Sequence, residues 1–559
     1  MNARIPRRAF LGAGSMVLAL CSGAAKDRAE AYGPAYQRLD QFVTRYMREN
    51  NTPGMAVAIT NREGLLTVRC YGFSDAATRV PVTNGTVFPI GSISKMFTAI
   101  ALLQLQQSGK VDLNVPPDRY LPWFRVKSSY APFTIHHLLT HTAGLPSDRD
   151  DLPSTLYASF AVHEQPAGFA PGERFAYSNV GYQILGQVVE AVAGRALGDF
   201  ERAAIFNPLE MASSEGSITN AIRTRIAVGY PDYYDDRPYH SSQPIAPGPW
   251  VEWDAGDGNI AVTPVDLAAF LRMLLSRGSS PRGRILSEDN FGLLTQRAVP
   301  IREGLHYGYG ITIDEKGSLA HSGGMVGYTA MVLADPAEGI GIAVLTNGVC
   351  DPKRVADFVR DLMVATSRKT ELPAEPLPAS RVLNAADYVG EYVSPGGKKF
   401  SLAAESGKLI LRYARLSTVL ERRGEDRFYV NHPDFARFLL ELQRERNVVT
   451  EAFYGPEWYM NSRYTGPRTF DWPAEWNAYP GHYRSYNPWL SNFRIVLRKG
   501  QLQFLHPERE SQALRELESG RFQVGERQTA SRLVLDTVIN GKAQRATFLG
   551  AGFYRTSSQ

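Results

Sequence analysis

Three prolines between Leu372 and Ala379 cut this chain in two, and the part C-terminal to them repeats itself. Prolines so closely spaced break any regular element, so the stretch reads as an extended linker, taken as 371–380. Beyond it Tyr388-Val-Gly-Glu-Tyr392 returns as Tyr479-Pro-Gly-His-Tyr483, and Gly407-Lys-Leu409 returns as Gly500-Gln-Leu502. Arg427-Phe-Tyr-Val430 returns as Arg521-Phe-Gln-Val524, and Phe453-Tyr-Gly455 with Trp458-Tyr459 returns as Phe548-Leu-Gly550 with Phe553-Tyr554. The matches keep their order at offsets between 91 and 95, the mark of a duplicated unit. Each copy is rich in short alternating runs such as Lys408 to Arg412 and Ser531 to Asp536, and at about ten residues per strand and turn it holds roughly eight strands. Two small antiparallel barrels are expected, over 381–472 and 473–559.

Ahead of the linker the pattern is mixed. Met55 to Thr60 and Leu65 to Cys70 read as an early hairpin around Asn61 to Gly64, and Gly339 to Thr346 reads as a late strand. The apolar positions Val355, Phe358, Val359, Leu362 and Met363 predict a closing helix on a sheet shared by both ends of this region. With 559 residues, 44% hydrophobic and 21% charged, the chain has room for two or three domains with sizeable cores. The first 31 residues combine Arg4, Arg7 and Arg8, an apolar stretch from Ala9 to Leu20, and small-residue cleavage candidates. They read as an export signal of twin-arginine type, placing the protein in the periplasm or outside the cell. The apolar run is too short for a membrane span, and Leu20 is a poor neighbour for a lipidated Cys21. Removing this segment, which holds five basic and two acidic residues, lowers the formal charge from +5 to +2, so nucleic acid is not an implied partner. Cys70 and Cys350 would remain, and are expected as buried free thiols.

The chemistry begins at Ser92-Ile-Ser-Lys95. The stripe of Ile93, Met96, Phe97, Ile100 and Leu103 keeps helical spacing and Gly109 supplies a stop, so Ser92 sits at a helix mouth with Lys95 one turn on, on the same face. The helix's positive end and the amine together suit a nucleophilic hydroxyl. A Ser and a Lys at this offset also arise by chance, as an N-cap serine and a solvated lysine. Tyr177-Ser-Asn179 follows the turn signal Pro171-Gly172 and enters a second helix; a phenol there can hold a proton in transit and an amide can orient lysine and substrate. A core tyrosine with a capping asparagine fits the same residues. His321-Ser322-Gly323-Gly324 lies on or beside a strand, where glycines allow a substrate backbone to approach, or simply form a bulge beside a surface histidine. His137 and His141 have the spacing of a helical metal pair but lack the companions of a zinc motif, so no metal or cofactor is expected.

These pieces in this order, with Thr134-Ile-His-His-Leu-Leu-Thr-His-Thr-Ala-Gly-Leu-Pro146 between the first two, resemble the serine β-lactamase and penicillin-binding protein superfamily, in its class C-like, peptidase S12 branch, over roughly residues 40 to 365. The resemblance implies an α/β (α+β) catalytic domain over 32–370, an antiparallel sheet flanked by helices, followed by two lipocalin-like barrels. It implies Ser92 as nucleophile, Lys95 as its proton partner, Tyr177 as general base, and Asn179, His321, Ser322, Gly323 and Gly324 at the substrate, with Gly324 N–H and Ser92 N–H holding the oxyanion. His321 stands where the family carries the lysine of Lys-Thr-Gly, which exchanges a fixed charge for a group mostly neutral near pH 7. That exchange disfavours β-lactamase and D,D-carboxypeptidase work on carboxylate-bearing substrates. It is similar to the His-x-Gly form of the D-aminopeptidases, which also carry two barrels. In that branch a loop of the second barrel reaches the active site, and Glu508, Glu510 or Glu516 could supply an anion to a substrate's amino terminus. The expected substrate is a short peptide or amide with a small N-terminal D-residue. An esterase on short acyl esters is the nearest rival, and a ligand-binding protein with a dead catalytic domain the rival from another class. Nothing in the pattern opposes a homo-oligomer.

Overall fold

The computed structural model describes residues 18–148, 154–164, 166–525 and 531–557, so Arg4, Arg7 and Arg8 of the expected export signal lie outside the described residues. The region ahead of the linker is built on one antiparallel sheet. Its strands are β1 (Gly54–Asn61), β2 (Leu65–Asp75), β3 (Val80–Pro81), β4 (Val299–Arg302), β5 (Leu305–Tyr307), β6 (Thr312–Asp314), β7 (Leu319–Met325), β8 (Tyr328–Asp335) and β9 (Ile340–Thr346). They lie in the order β3-β2-β1-β9-β8-β7-β6-β5-β4. The two ends of the region meet at the centre, where β1 pairs with β9 from Met55 opposite Thr346 to Asn61 opposite Ile340.

Period-two burial explains the layers. Met55, Val57 and Ile59 of β1 pack on one face against Leu39, Phe42 and Val43 of α1 (Leu18–Glu49) and Val355, Val359 and Leu362 of α6 (Pro352–Arg368). Ala56 and Ala58 point to the other face, into a larger core with Phe97, Ile100 and Leu103 of α2 (Ser94–Gln107), Ile184 and Val188 of α4 (Asn179–Ala193) and Leu267, Phe270 and Leu271 of α5 (Pro264–Leu275). The alternation sets α1 and α6 behind the sheet, while α2, α4, α5 and the short α3 (Ile135–Leu139) lie in front of it. Among the described residues no helix is long and apolar enough to cross a membrane. Cys70 and Cys350 are free and half-buried rather than fully enclosed.

The duplicated unit forms two closed barrels of eight strands each, as the repeat predicts. The first runs through β10 (Gly390–Val393), β11 (Lys399–Glu405), β12 (Lys408–Tyr413), β13 (Leu416–Gly424), β14 (Arg427–Val430), β15 (Leu440–Glu445), β16 (Val448–Tyr454) and β17 (Glu457–Met460). The second runs through β18 (Gly481–Arg484), β19 (Asn492–Arg498), β20 (Gln501–Leu505), β21 (Gln512–Glu518), β22 (Arg521–Val524), β23 (Leu533–Ile539), β24 (Lys542–Phe548) and β25 (Ala551–Arg555). The repeated tyrosine pair does the same work in each: Tyr392 donates its hydroxyl to the carbonyl of Tyr388 at 2.8 Å, and Tyr483 to that of Tyr479 at 2.7 Å. The prolyl linker does not swing free. Arg38 on α1 donates to the carbonyls of Leu372 and Pro373, and Arg45 to the Glu375 carboxylate and the Pro376 carbonyl.

Candidate active site

The turn that carries Ser92 is a single 3-10 turn, Gly91–Ile93, and the α-helix proper starts just after it, at Ser94. It is pressed against β7. A Cβ on Gly323 would sit 1.8 Å from the Ile90 carbonyl oxygen, and one on Gly91, whose φ is +47°, would sit 2.4 Å from that of Gly324. β6 pairs with β7 only at Leu319 and Ala320, so from His321 onward that edge of β7 faces the Ser92 turn.

Lys95 is fully buried, which removes the solvated-lysine reading. Its Nζ donates to Ser92 Oγ at 3.0 Å, to Asn179 Oδ1 at 2.7 Å and to the Asp257 carbonyl at 2.9 Å, one acceptor for each N–H of an ammonium. Ser94, the other hydroxyl of the motif, points away and accepts from the Ile260 N–H. Asn179 opens α4 but does not cap it; Ser178 does, accepting from the Gly181 N–H at 3.0 Å. The Asn179 amide is thereby left for Lys95 on one side and the Asp148 carboxylate on the other. Tyr177 lays its ring 4.9 Å from Lys95 Nζ and 4.4 Å from the ring of His141. Among the described residues its hydroxyl has no hydrogen-bond partner.

His321 is buried beside the cleft rather than lining it, its ring 6.4 Å from that of Tyr177. Its Nδ1–H donates to the Ser322 carbonyl at 2.6 Å, so its Nε2 must accept, and Tyr307 Oη supplies the proton at 3.1 Å. The Ser178 N–H donates to His141 Nδ1, so His141 Nε2–H donates onward to Tyr307 at 3.2 Å. The partners thus fix both tautomers and keep both imidazoles neutral along one directional chain. Burial, with the Lys95 charge adding to it, holds His321 down at about 4 and His141 well below its ordinary value. His141 lies beyond the end of α3, so with His137 it does not form a helical pair. Of the strand motif, Ser322 is exposed and Gly323 is buried against the Ser92 turn, while Gly324 lines the cleft.

Ser92, Tyr177, Asn179 and Gly324 open into a cleft of about 470 Å³. Two carboxylates that no motif announced belong to it. Asp257 accepts from Trp253 Nε1 at 3.0 Å, and burial raises it to about 6 against the opposing pull of Lys95; burial raises Asp148 too. The far wall comes from the second barrel, which contributes His506, Arg509, Glu510 and Gln512. Of the candidate barrel anions, Glu510 is the one in the cleft. Glu508 accepts instead from the Tyr239 N–H, and Glu516 from Trp476 Nε1 at 2.8 Å.

Residues 39–366 match the family model described as Beta-lactamase. The chain is 28% identical over 376 residues to penicillin-binding protein 4 of Amycolatopsis lactamdurans, covering 62% of this chain and 95% of that one. Among solved structures it is similar to the octameric penicillin-binding protein homologue from Pyrococcus abyssi, with a TM-score of 0.57 and 25% identity over 76% of this chain and all of the other. It is also similar to the penicillin-binding protein of Bacillus halodurans, with a TM-score of 0.50 and 25% identity over 57% of this chain and 99% of that one. A catalytic region matched over most of its length, with Ser92 and Lys95 in hydrogen-bond contact at its cleft, places the chain in the β-lactamase and penicillin-binding protein family of serine hydrolases.

Proposed function

We propose that the protein is an exported hydrolase of the D-aminopeptidase type, cleaving short peptides or amides that begin with a small D-residue through an acyl-enzyme on Ser92. The observation that carries this reading is Lys95 Nζ held between Ser92 Oγ and Asn179 Oδ1, in a cleft whose other ionisable walls include Asp148, Asp257 and Glu510. Carboxylates around the scissile position suit a substrate with a free ammonium group. The Ser92 Oγ–carbonyl bond forms as its proton passes to Tyr177 acting as a phenolate, whose ring lies beside the Lys95 charge; the phenol so formed then gives that proton to the leaving amine as the C–N bond breaks, and returns to the phenolate. Water repeats the sequence in reverse order on the acyl-enzyme, releasing the acid and restoring Ser92. The N–H groups of Ser92 and Gly324 would hold the oxyanion, where losing one donor costs ~10²–10³ in rate.

Labelling with a fluorophosphonate, abolished by Ser92→Ala, separates this enzyme from a ligand-binding protein. Release of nitroaniline from the D-alanine anilide, at least ~10-fold faster than from the L-alanine anilide, is the expected outcome, a ratio within reach of ordinary pocket discrimination. Turnover of nitrophenyl acetate alone would make the protein an esterase, a second reading favoured by the apolar Leu145, Trp253 and Met325 on the cleft wall. Nitrocefin as the best substrate would make it a β-lactamase or D,D-carboxypeptidase and assign carboxylate binding to Arg509. Domain limits at 32–370, 381–472 and 473–559 are to be tested by limited proteolysis, export by sequencing the mature N-terminus, and self-association by sedimentation.

A further inference from the structure

The connections from β18 to β19, β20 to β21 and β24 to β25 leave the same end of the second barrel, the end at which β23 begins, and that end faces Ser92. The three connections give Trp489, Arg509 and Leu549 to the catalytic cleft, and Ser531, just ahead of β23, joins them. Behind them the cleft wall continues into the barrel on Leu490, Phe504, Val524 and Phe548. The floor is closed by Phe493, buried completely, with its ring 4.6 Å from Phe504 and 4.9 Å from Phe553. The barrel's depth is thus filled by its own side chains, while its mouth is a shallow apolar cup opening onto the nucleophile's cleft. Trp489 stands at the seam, its ring 5.4 Å from that of Trp253, whose indole N–H is the one held by Asp257.

We propose that this mouth is a subsite for an apolar arm of the substrate, so that the preferred molecules are amides or esters carrying an aliphatic or aromatic group several carbons long on one side of the scissile bond. The inference rests on the reading of Ser92 as the acylated residue. Shape and chemistry support it: a small polar substrate would leave the cup wet, whereas an alkyl or aryl group would displace that water from a wall of leucine, valine and phenylalanine. Arg509, Glu510 and Gln512 at the rim would stay with the polar end.

The test uses the full-length protein and two series, nitrophenyl esters from acetyl to octanoyl and N-alkyl amides of D-alanine from methyl to octyl. In one of the two, kcat/KM should rise by about fourfold per added methylene until the cup is full, the increment expected for burying CH₂. Two variants probe the cup, Val524→Trp, which fills it, and Leu549→Asp, which puts a charge at a position whose φ of +52° suits aspartate. The ratio of long-chain to short-chain kcat/KM, internal to each folded variant, should fall at least tenfold in both. A flat chain-length profile in both series, with the shortest substrates still turned over, overturns the subsite and leaves the Ser92 reading standing. Chain-length dependence that survives both substitutions likewise overturns it. Absence of turnover together with absence of fluorophosphonate labelling overturns the subsite and the Ser92 reading alike.

Discussion

At the scale of single residues, the chain from Ser178 through His141, Tyr307 and His321 to Ser322 makes the site sensitive to acid. A histidine whose folded value is near 4, against about 6.5 when unfolded, binds fewer protons in the native state than in the unfolded one between those limits. Its contribution to stability is therefore fully present above about pH 6.5 and is lost as the pH falls toward 4. Urea midpoints taken at pH 7 and pH 5 should drop more steeply in the natural protein than in His321→Gln; equal drops would remove His321 from this account. The local motifs were legible because each lies within four residues: Ser92 with Lys95, Tyr177 with Asn179, His321 with Gly324. Asp148 and Asp257, which line the cleft, and His141 and Tyr307, buried behind it, were not, because they come from loops and strands far apart in the fold and carry no motif spacing to Ser92. His321 was found at its strand position, but which way its ring points depends on Tyr307, a residue no pattern connected with it.

At the scale of elements, the site depends on how tightly the Ser92 turn lies on β7. Gly323→Ala would place a methyl where the Ile90 carbonyl oxygen stands, at 1.8 Å, and must push turn and strand apart. A displacement near 1 Å is worth ~10²-fold in rate, so fluorophosphonate labelling should slow by about that factor while the far-ultraviolet dichroism stays native. Labelling at the natural rate would show that the gap is not needed. A second element stores a charge problem. The short helix Leu197–Glu201 passes into a π turn over Arg202–Phe206, and Glu201 is fully enclosed there, with Asn259 Nδ2 on one carboxyl oxygen at 2.7 Å. Burial raises its carboxyl to about 8. The neutral acid favours the fold, so that contribution is whole below about pH 4.5 and disappears as the pH climbs through 8. Glu201→Gln should accordingly raise the melting temperature at pH 9 relative to the natural protein, with the gap narrowing by pH 5. The early hairpin, the late strand, the closing helix and the strands of both barrels follow from period and punctuation, which local sequence carries. The free edge of β7 follows from how short β6 is, which it does not.

At the scale of the whole molecule, the barrels lock to each other by charge and ring. Lys499 of the second barrel sits within 5.6 Å of the ring centres of Trp458, Tyr464 and Phe470 in or beside the first and donates to Glu451 at 2.7 Å. Arg498 next to it is 6% exposed and donates to Glu441 at 2.9 Å. Removing one partner of an enclosed ion pair typically costs ~3–5 kcal/mol, so Arg498→Ala should lower the barrels' unfolding transition well beyond what an exposed arginine would. A shift no larger than that of Arg521→Ala, on the surface, would deny the pair this role. The duplication was visible in the sequence as a fixed offset; the way its second copy leans its mouth on Ser92 was not, since the residues concerned are separated by about four hundred positions of chain.

The marriage of β1 to β9 at the centre of the sheet has a further effect, on synthesis. The ribosome finishes Asn61 long before it reaches Ile340, and at ~5–20 residues per second the interval is roughly a quarter-minute to a minute. Throughout it, a newborn strand with fully apolar Met-Ala-Val-Ala-Ile character has β2 on one edge but nothing on the other, and this is when a holdase would have most to do.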